Sequence, residues 1–143
     1  MKRKLLIVVM AIALTFSCCA AAFAAVPDGG DTAQPYNTSS MYFAISRVSA
    51  TKAEASIDVV FSQIVDRYSV VVYLQKLNSD GTWSLATENS DYVLYNNGLQ
   101  SRHFVFDHIY QNLERGKTYR LKCVSRDYIG DSTFISTGYS YSF

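Results

Sequence analysis

The chain has 143 residues, of which 49% are hydrophobic and 17% charged, and its formal net charge is +1. At that size one domain with a single core is expected, with a net stability of about 5–15 kcal/mol. So little net charge gives no strong electrostatic reason to seek nucleic acid or an anionic lipid surface, and neither is expected as a partner.

The first residues, MKRKLLIVVMAIALTFSCCAAAFAA, place Lys2, Arg3 and Lys4 before an apolar run from Leu5 to Phe16. Small residues and Ala22-Phe23-Ala24 follow, so residues 1–24 are expected to be a secretory signal peptide cleaved after Ala24. The run is shorter than the roughly 20 apolar residues of a membrane span, so no stable membrane insertion is expected after cleavage. The expected destination is secreted or extracellular, with association to the cell surface included. Cys18 and Cys19 raise lipid attachment as an alternative, although Thr15, Phe16 and Ser17 match a bacterial lipoprotein signal poorly. Cleavage would leave 143 − 24 = 119 residues, a charge of 10 − 12 = −2 and one cysteine, Cys123. A lone thiol forms no internal bridge, so burial and hydrogen bonding must supply the stability.

Residues 25–40, AVPDGGDTAQPYNTSS, hold both prolines and few apolar side chains, which predicts a flexible leader before a β domain over 41–143. Asn37-Thr38-Ser39 fits an N-glycosylation acceptor, relevant only on a eukaryotic secretory route.

From Met41 onward the pattern has period two. Ala55, Ile57, Val59 and Phe61 fall on one face, with Glu54, Ser56 and Asp58 on the other, which predicts a half-buried strand. Residues 69–77, SVVVYLQKL, read as a separate central strand covered on both sides. Asn78 to Gly81 predicts a hairpin turn before Trp83, and Tyr95 to Gly98, YNNG, predicts a second one. Phe104, Phe106 and Tyr110 mark another strand, and Tyr139, Tyr141 and Phe143 share a face of the last. No stretch keeps apolar spacing of three and four. The chain is therefore expected to be all-β: an antiparallel β-sandwich of six or seven strands without helix.

In LERGKTYRLKC, Leu113 to Cys123, the residues Tyr119, Leu121 and Cys123 alternate with Arg120 and Lys122 behind a turn at Gly116. This layout resembles the tyrosine corner of immunoglobulin-like and fibronectin type III-like sandwiches, in which a tyrosine bonds back to the loop before its strand. Leu121 stands where a true immunoglobulin domain has a cysteine. Cys123 is either core or a reactive thiol; the second needs a cation on its own face, and Lys122 points the other way, so core is the reading taken. Together with Val65-Asp66, Leu74-Gln75-Lys76, Gly81-x-Trp83 and Gly116-x-x-Tyr119-Arg120, the chain is similar to small secreted proteins of uncharacterised function found mainly in Gram-positive bacteria. The resemblance implies an exported β domain and transfers no catalytic residue.

The chemistry-bearing residues are sparse. His103 and His108 are an odd five apart, on opposite faces of a straight strand, which suits solvated ends better than a shared metal. No metalloprotease, serine-hydrolase or calcium-loop spacing occurs, so no enzyme, metal or cofactor is expected. Asp127 and Asp131 are placed in a loop between the last two strands, where a plain turn competes with a calcium site. Arg115, Lys117, Arg120, Lys122 and Arg126 form the basic cluster, with the last three projecting from one strand face at steps of about 6.8 Å. This is either a solvated face that blocks edge pairing or a footprint for an anionic surface polymer such as wall teichoic acid.

Tyr92 and Tyr95, with Tyr36, Tyr68 and Tyr128, fall at expected strand ends or loops, where aromatic rings suit sugar stacking. Trp83 is expected to pack over the sheet. The functional expectation is a non-enzymatic binding module for cell-envelope polymer or carbohydrate. The alternative is a protein-interaction module that binds a surface protein through a sheet edge.

Overall fold

The computed structural model describes residues 40–143. The expected signal peptide, almost all of the leader, Cys18, Cys19 and the acceptor at Asn37 lie outside the described residues. Within them the chain is all-β and antiparallel, with no helix. The strands are β1 (Ser40–Ser49), β2 (Lys52–Leu77), β3 (Trp83–Leu85), β4 (Val93–Tyr110), β5 (Tyr119–Ile129) and β6 (Ser132–Tyr139), joined in one sheet.

Two long strands make the architecture. β2 pairs with β4 along both its ends, from Ala53 opposite Tyr110 to Tyr73 opposite Val93. Its other edge is shared: the start of β2 pairs with β1, and Arg67 to Lys76 pair with β5, which in turn pairs with β6. The first half of the sheet is thus β1, the start of β2 and the end of β4. The second half is β6, β5, the rest of β2 and the start of β4, with β3 added beside Gln75 to Leu77. The sheet curls as a half-barrel, so that Ile57 and Val59 from the first half join Val72, Leu74 and Leu121 from the second in one buried cluster. Each fully buried side chain of this size contributes about 1.5–3 kcal/mol relative to exposure.

The curl has a definable cause. Between Val60 and Val65 β2 advances five residues, while its partner β4 moves only two, from His103 to Ser101. Three residues of β2 are therefore extra, and an odd number reverses which parity faces inward. Ala53, Ala55, Ile57 and Val59 point into the core before the irregularity and Val70, Val72 and Leu74 after it, while Phe61 within it and Val65 at its far end are also buried. Tyr68 sits at this junction, its ring 5.3 Å from Phe61 and 5.2 Å from Phe104 by centroids.

Three expectations are corrected here. Tyr95 to Gly98 is not a turn but part of β4, paired with Tyr68 to Val71. Gly98 lies under the Tyr68 ring, which occupies the place a Cβ would take, so the glycine serves close packing rather than a reversal. The reversal before β4 instead uses Ala86 to Tyr92, closed by the Asn89 to Ala86 and Tyr92 to Asn89 backbone bonds. Asp127 is not in a loop: it lies inside β5 on the buried row with Leu121, Cys123 and Ser125, and it accepts a 2.6 Å bond from the Ser125 hydroxyl.

The C-terminal run does not keep one face either. Lys122 pairs with Tyr139, yet Tyr119 exchanges two backbone bonds with Phe143, a register one residue different. That slip turns Phe143 toward Tyr119, at 6.2 Å between rings. The expected hairpin at Asn78 to Gly81 is present, with Gly81 at φ 83° and Asp80 bonding Thr82.

Candidate functional site

The outward side of the second half is built by alternation. Because Tyr119, Leu121, Cys123 and Ser125 point inward, Arg120, Lys122, Val124 and Arg126 must point outward. On neighbouring strands the outward residues are Tyr73 and Gln75 from β2 and Tyr139 from β6. Cross-strand pairing sets Val93, Tyr73, Lys122 and Tyr139 in one row, and Asn97, Ser69, Arg126 and Ile135 in another.

Arg120 is the best-held group on this face. Its guanidinium lies between two rings, 4.3 Å from the Trp83 centroid and 4.5 Å from that of Tyr139, while its Nε donates to Gln75 Oε1 at 2.9 Å. Burial between the rings lowers its pKa below the ordinary guanidinium value, against the opposing pull of Tyr139, and the group stays cationic. Lys122 Nζ lies 5.9 Å over the Tyr73 ring, and Arg67 lies 4.0 Å over Tyr128. Cation and aromatic groups therefore alternate across the face, each flat ring fixing a charge in place.

Arg120, Lys122 and Arg126 thus share one surface about 20 Å long. Arg67 and the rings of Trp83, Tyr73 and Tyr139 extend it. Sequence reasoning missed Arg67, Gln75, Tyr73 and Tyr139 because their place beside β5 is set by pairing over more than 15 residues. Among the described residues, the outward positions of β2 from Arg67, of β4 up to Leu99, of β5 and of β6 hold no carboxylate. Tyr95, 70% exposed, stands on the same side opposite Val71, whereas Tyr92 packs against the core, so the two tyrosines are not neighbours on one binding face. Leu99 and Ile135 are 75% and 63% exposed there.

The frame behind this face is rigid for local reasons. Gly116, at φ 70°, shapes the turn before β5, and the Tyr119 hydroxyl accepts the Glu114 backbone N–H at 3.0 Å and donates to Glu88 Oε1 at 3.3 Å. Lys76 Nζ bonds Glu114 at 2.8 Å and Glu88 at 2.9 Å, and these two carboxylates raise its pKa above the ordinary lysine value. Burial acts to raise the Glu88 pKa, but the bond from Lys76 and its other partners outweigh it and hold the carboxyl below its usual range. Leu113 is buried beside this plug. Cys123 is fully buried in the core, and desolvation pushes its thiol up to about 12, where it is inert at neutral pH.

The two histidines lie on opposite sides of β4. His103 pairs with Asp58 at 2.5 Å on the outside of the first half, while His108 Nε2 meets Asp91 Oδ2 at 3.2 Å on the inner side. No group of three metal-ligating side chains occurs among the described residues. No known family pattern matches the chain, and no curated protein is similar to it.

Proposed function

We propose that the protein is an exported, non-enzymatic binding module that holds an anionic cell-envelope polymer on the outward face of the second half of the sheet. The observation that carries this reading is a face with four cations, Arg67, Arg120, Lys122 and Arg126, three of them seated on aromatic rings and none opposed by a carboxylate on that face. A face that served only to stay solvated would mix both signs. Polyol phosphate chains of the wall teichoic acid kind carry repeated anionic charge, and the rings between the cations suit attached sugars.

An immunoglobulin-like or fibronectin type III-like sandwich is the finer fold we assign. It is supported by the division into a three-stranded half (β1, β2, β4) and a four-stranded half (β4, β2, β5, β6) and by the Tyr119 bond to Glu114. This fits the small secreted Gram-positive proteins that the sequence resembles.

The test is retention of the protein on purified cell wall, on wall stripped of teichoic acid, and on chitin and cellulose, across a salt series. We expect binding to intact wall that falls with salt. Lys122→Glu/Arg126→Glu is expected to weaken retention at least tenfold with the fold intact by circular dichroism, about 1.4 kcal/mol of binding. Equal retention by the charge-reversed protein would overturn the reading. A second reading, capture of a surface protein by strand addition, is favoured by one observation: among the described strands β4 pairs with β2 alone, leaving an 18-residue edge. Salt-insensitive binding to a protein component, abolished by a proline at Val105, would favour it.

A further inference from the structure

A second concavity, independent of the basic face, opens on the inner side of the first half, with a volume of about 1230 Å³. Its floor is the row Ile45, Ala55 and His108, paired side by side across β1, β2 and β4. Ala55 leaves room there: the β2 position of this row carries only a methyl group, as Ala53 does in the row on one side, whereas Ile57 fills the row on the other. The C-terminal residues Tyr141 and Phe143 form the opposite wall, and Phe143 is held there by its paired backbone bonds to Tyr119.

Asp91 is the carboxylate on the inner side of this cleft, where no lysine or arginine stands, and it meets His108 at 3.2 Å; Glu54 and Asp107 border the cleft from strand positions that face the outer side of the sheet. Asp91 is held in place by its backbone N–H bond to Asn89 Oδ1 and by Ser90, and its outer oxygen faces the His108 ring, which stacks on Phe106. An anchored carboxylate beside aromatic walls is the arrangement that recognises an ammonium group, through charge and through the negative faces of the rings. The length and apolar floor of the cleft call for a hydrocarbon body behind that group.

We infer that this cleft is a second binding site, for a ligand with an apolar body and an ammonium head, the head against Asp91 and the body over Ala55 between Ile45 and Phe143. Its charge preference is the reverse of that on the basic face, so the two sites select different partners.

The experiment titrates the full-length, isotope-labelled chain with decyltrimethylammonium below its micelle concentration, and in parallel with decyl sulfate, following backbone amide resonances. Saturable shifts centred on Ala55, His108 and Phe143 are expected with the cation, at an affinity at least about tenfold higher than for the anion. Asp91→Asn, which keeps the shape of the side chain, should remove most of that preference. Asp107→Asn, on the outer side of β4, should leave the preference in place, and unshifted amide resonances away from the cleft guard against a folding defect at Asp91. Equal affinity for the two surfactants, shifts confined to other residues, or an unchanged preference in Asp91→Asn would overturn the assignment.

Discussion

The same two strands, β2 and β4, build both halves of the sheet, yet the outward sides of the halves differ in chemistry. The first half shows Glu54, Asp58 and Asp107 beside His103, with Tyr42 and Val105 between them. The second half shows cations and rings around Arg120, with neutral residues such as Gln75, Leu99 and Ile135 among them and no carboxylate at its outward strand positions. The difference follows from the three extra residues near Gln63: because they reverse the parity of β2, Val70, Val72 and Leu74 turn inward and Arg67, Tyr73 and Gln75 turn outward. A backbone irregularity, rather than a change in composition, decides which residues the protein shows to solvent.

The sharpest way to break this comparison is to change the count of extra residues. Deleting Gln63 leaves an even number and would set Val71, Tyr73 and Gln75 against the core. We expect loss of the cooperative unfolding transition, a cost exceeding the whole stability of about 5–15 kcal/mol. Deleting Gln63 and Ile64 together restores the parity, and that protein should unfold cooperatively in urea. A folded single deletion would sink this account of the two halves.

Next in size is the plug that holds β5 against the rest. Lys76→Met leaves Glu88 and Glu114 facing each other without their cation, with an expected loss of about 1–3 kcal/mol in denaturant titrations. The same change bears on pH. Glu88 has a folded pKa below its unfolded value of 4.5, so its contribution is present above 4.5 and is lost as the pH falls through the lower folded value. Stability of the unaltered protein should drop over that acid range, and Lys76→Met should flatten the drop. Tyr119→Phe, which removes the hydroxyl partner of the Glu114 N–H, is expected to cost about 1 kcal/mol. The smallest effect belongs to the first half's outer side: Asp107→Lys should alter stability by less than about 0.5 kcal/mol and leave wall retention unchanged. Any gain in retention there would erase the functional distinction between the two halves.

What could be read from the sequence was whatever depends on near neighbours. The alternation through Cys123 sets Arg120, Lys122 and Arg126 on one side, and Asn78 to Gly81 carries its own turn chemistry. Tyr95 to Gly98 was misleading because turn propensity is local, whereas the pairing of Gly98 with Tyr68 and the ring above it come from 30 residues away. The placement of Asp127 failed for a related reason. A carboxylate is an unfavourable core residue, and the 2.6 Å bond from Ser125, two positions back on the same inward row, helps make its burial tolerable. Arg67 and Tyr139 could be joined to the basic face only once the register between β2, β5 and β6 was known.

The sealed thiol of Cys123 gives the molecule a clock. With no solvent exposure and a pKa of about 12, it can react with an alkylating reagent only when the strands around it separate. The rate at which its peptide becomes modified, followed by mass spectrometry under native conditions, therefore times the opening of the core. Comparing that rate with and without a bound polymer would show whether occupancy of the outer face slows the breathing of the strands beneath it.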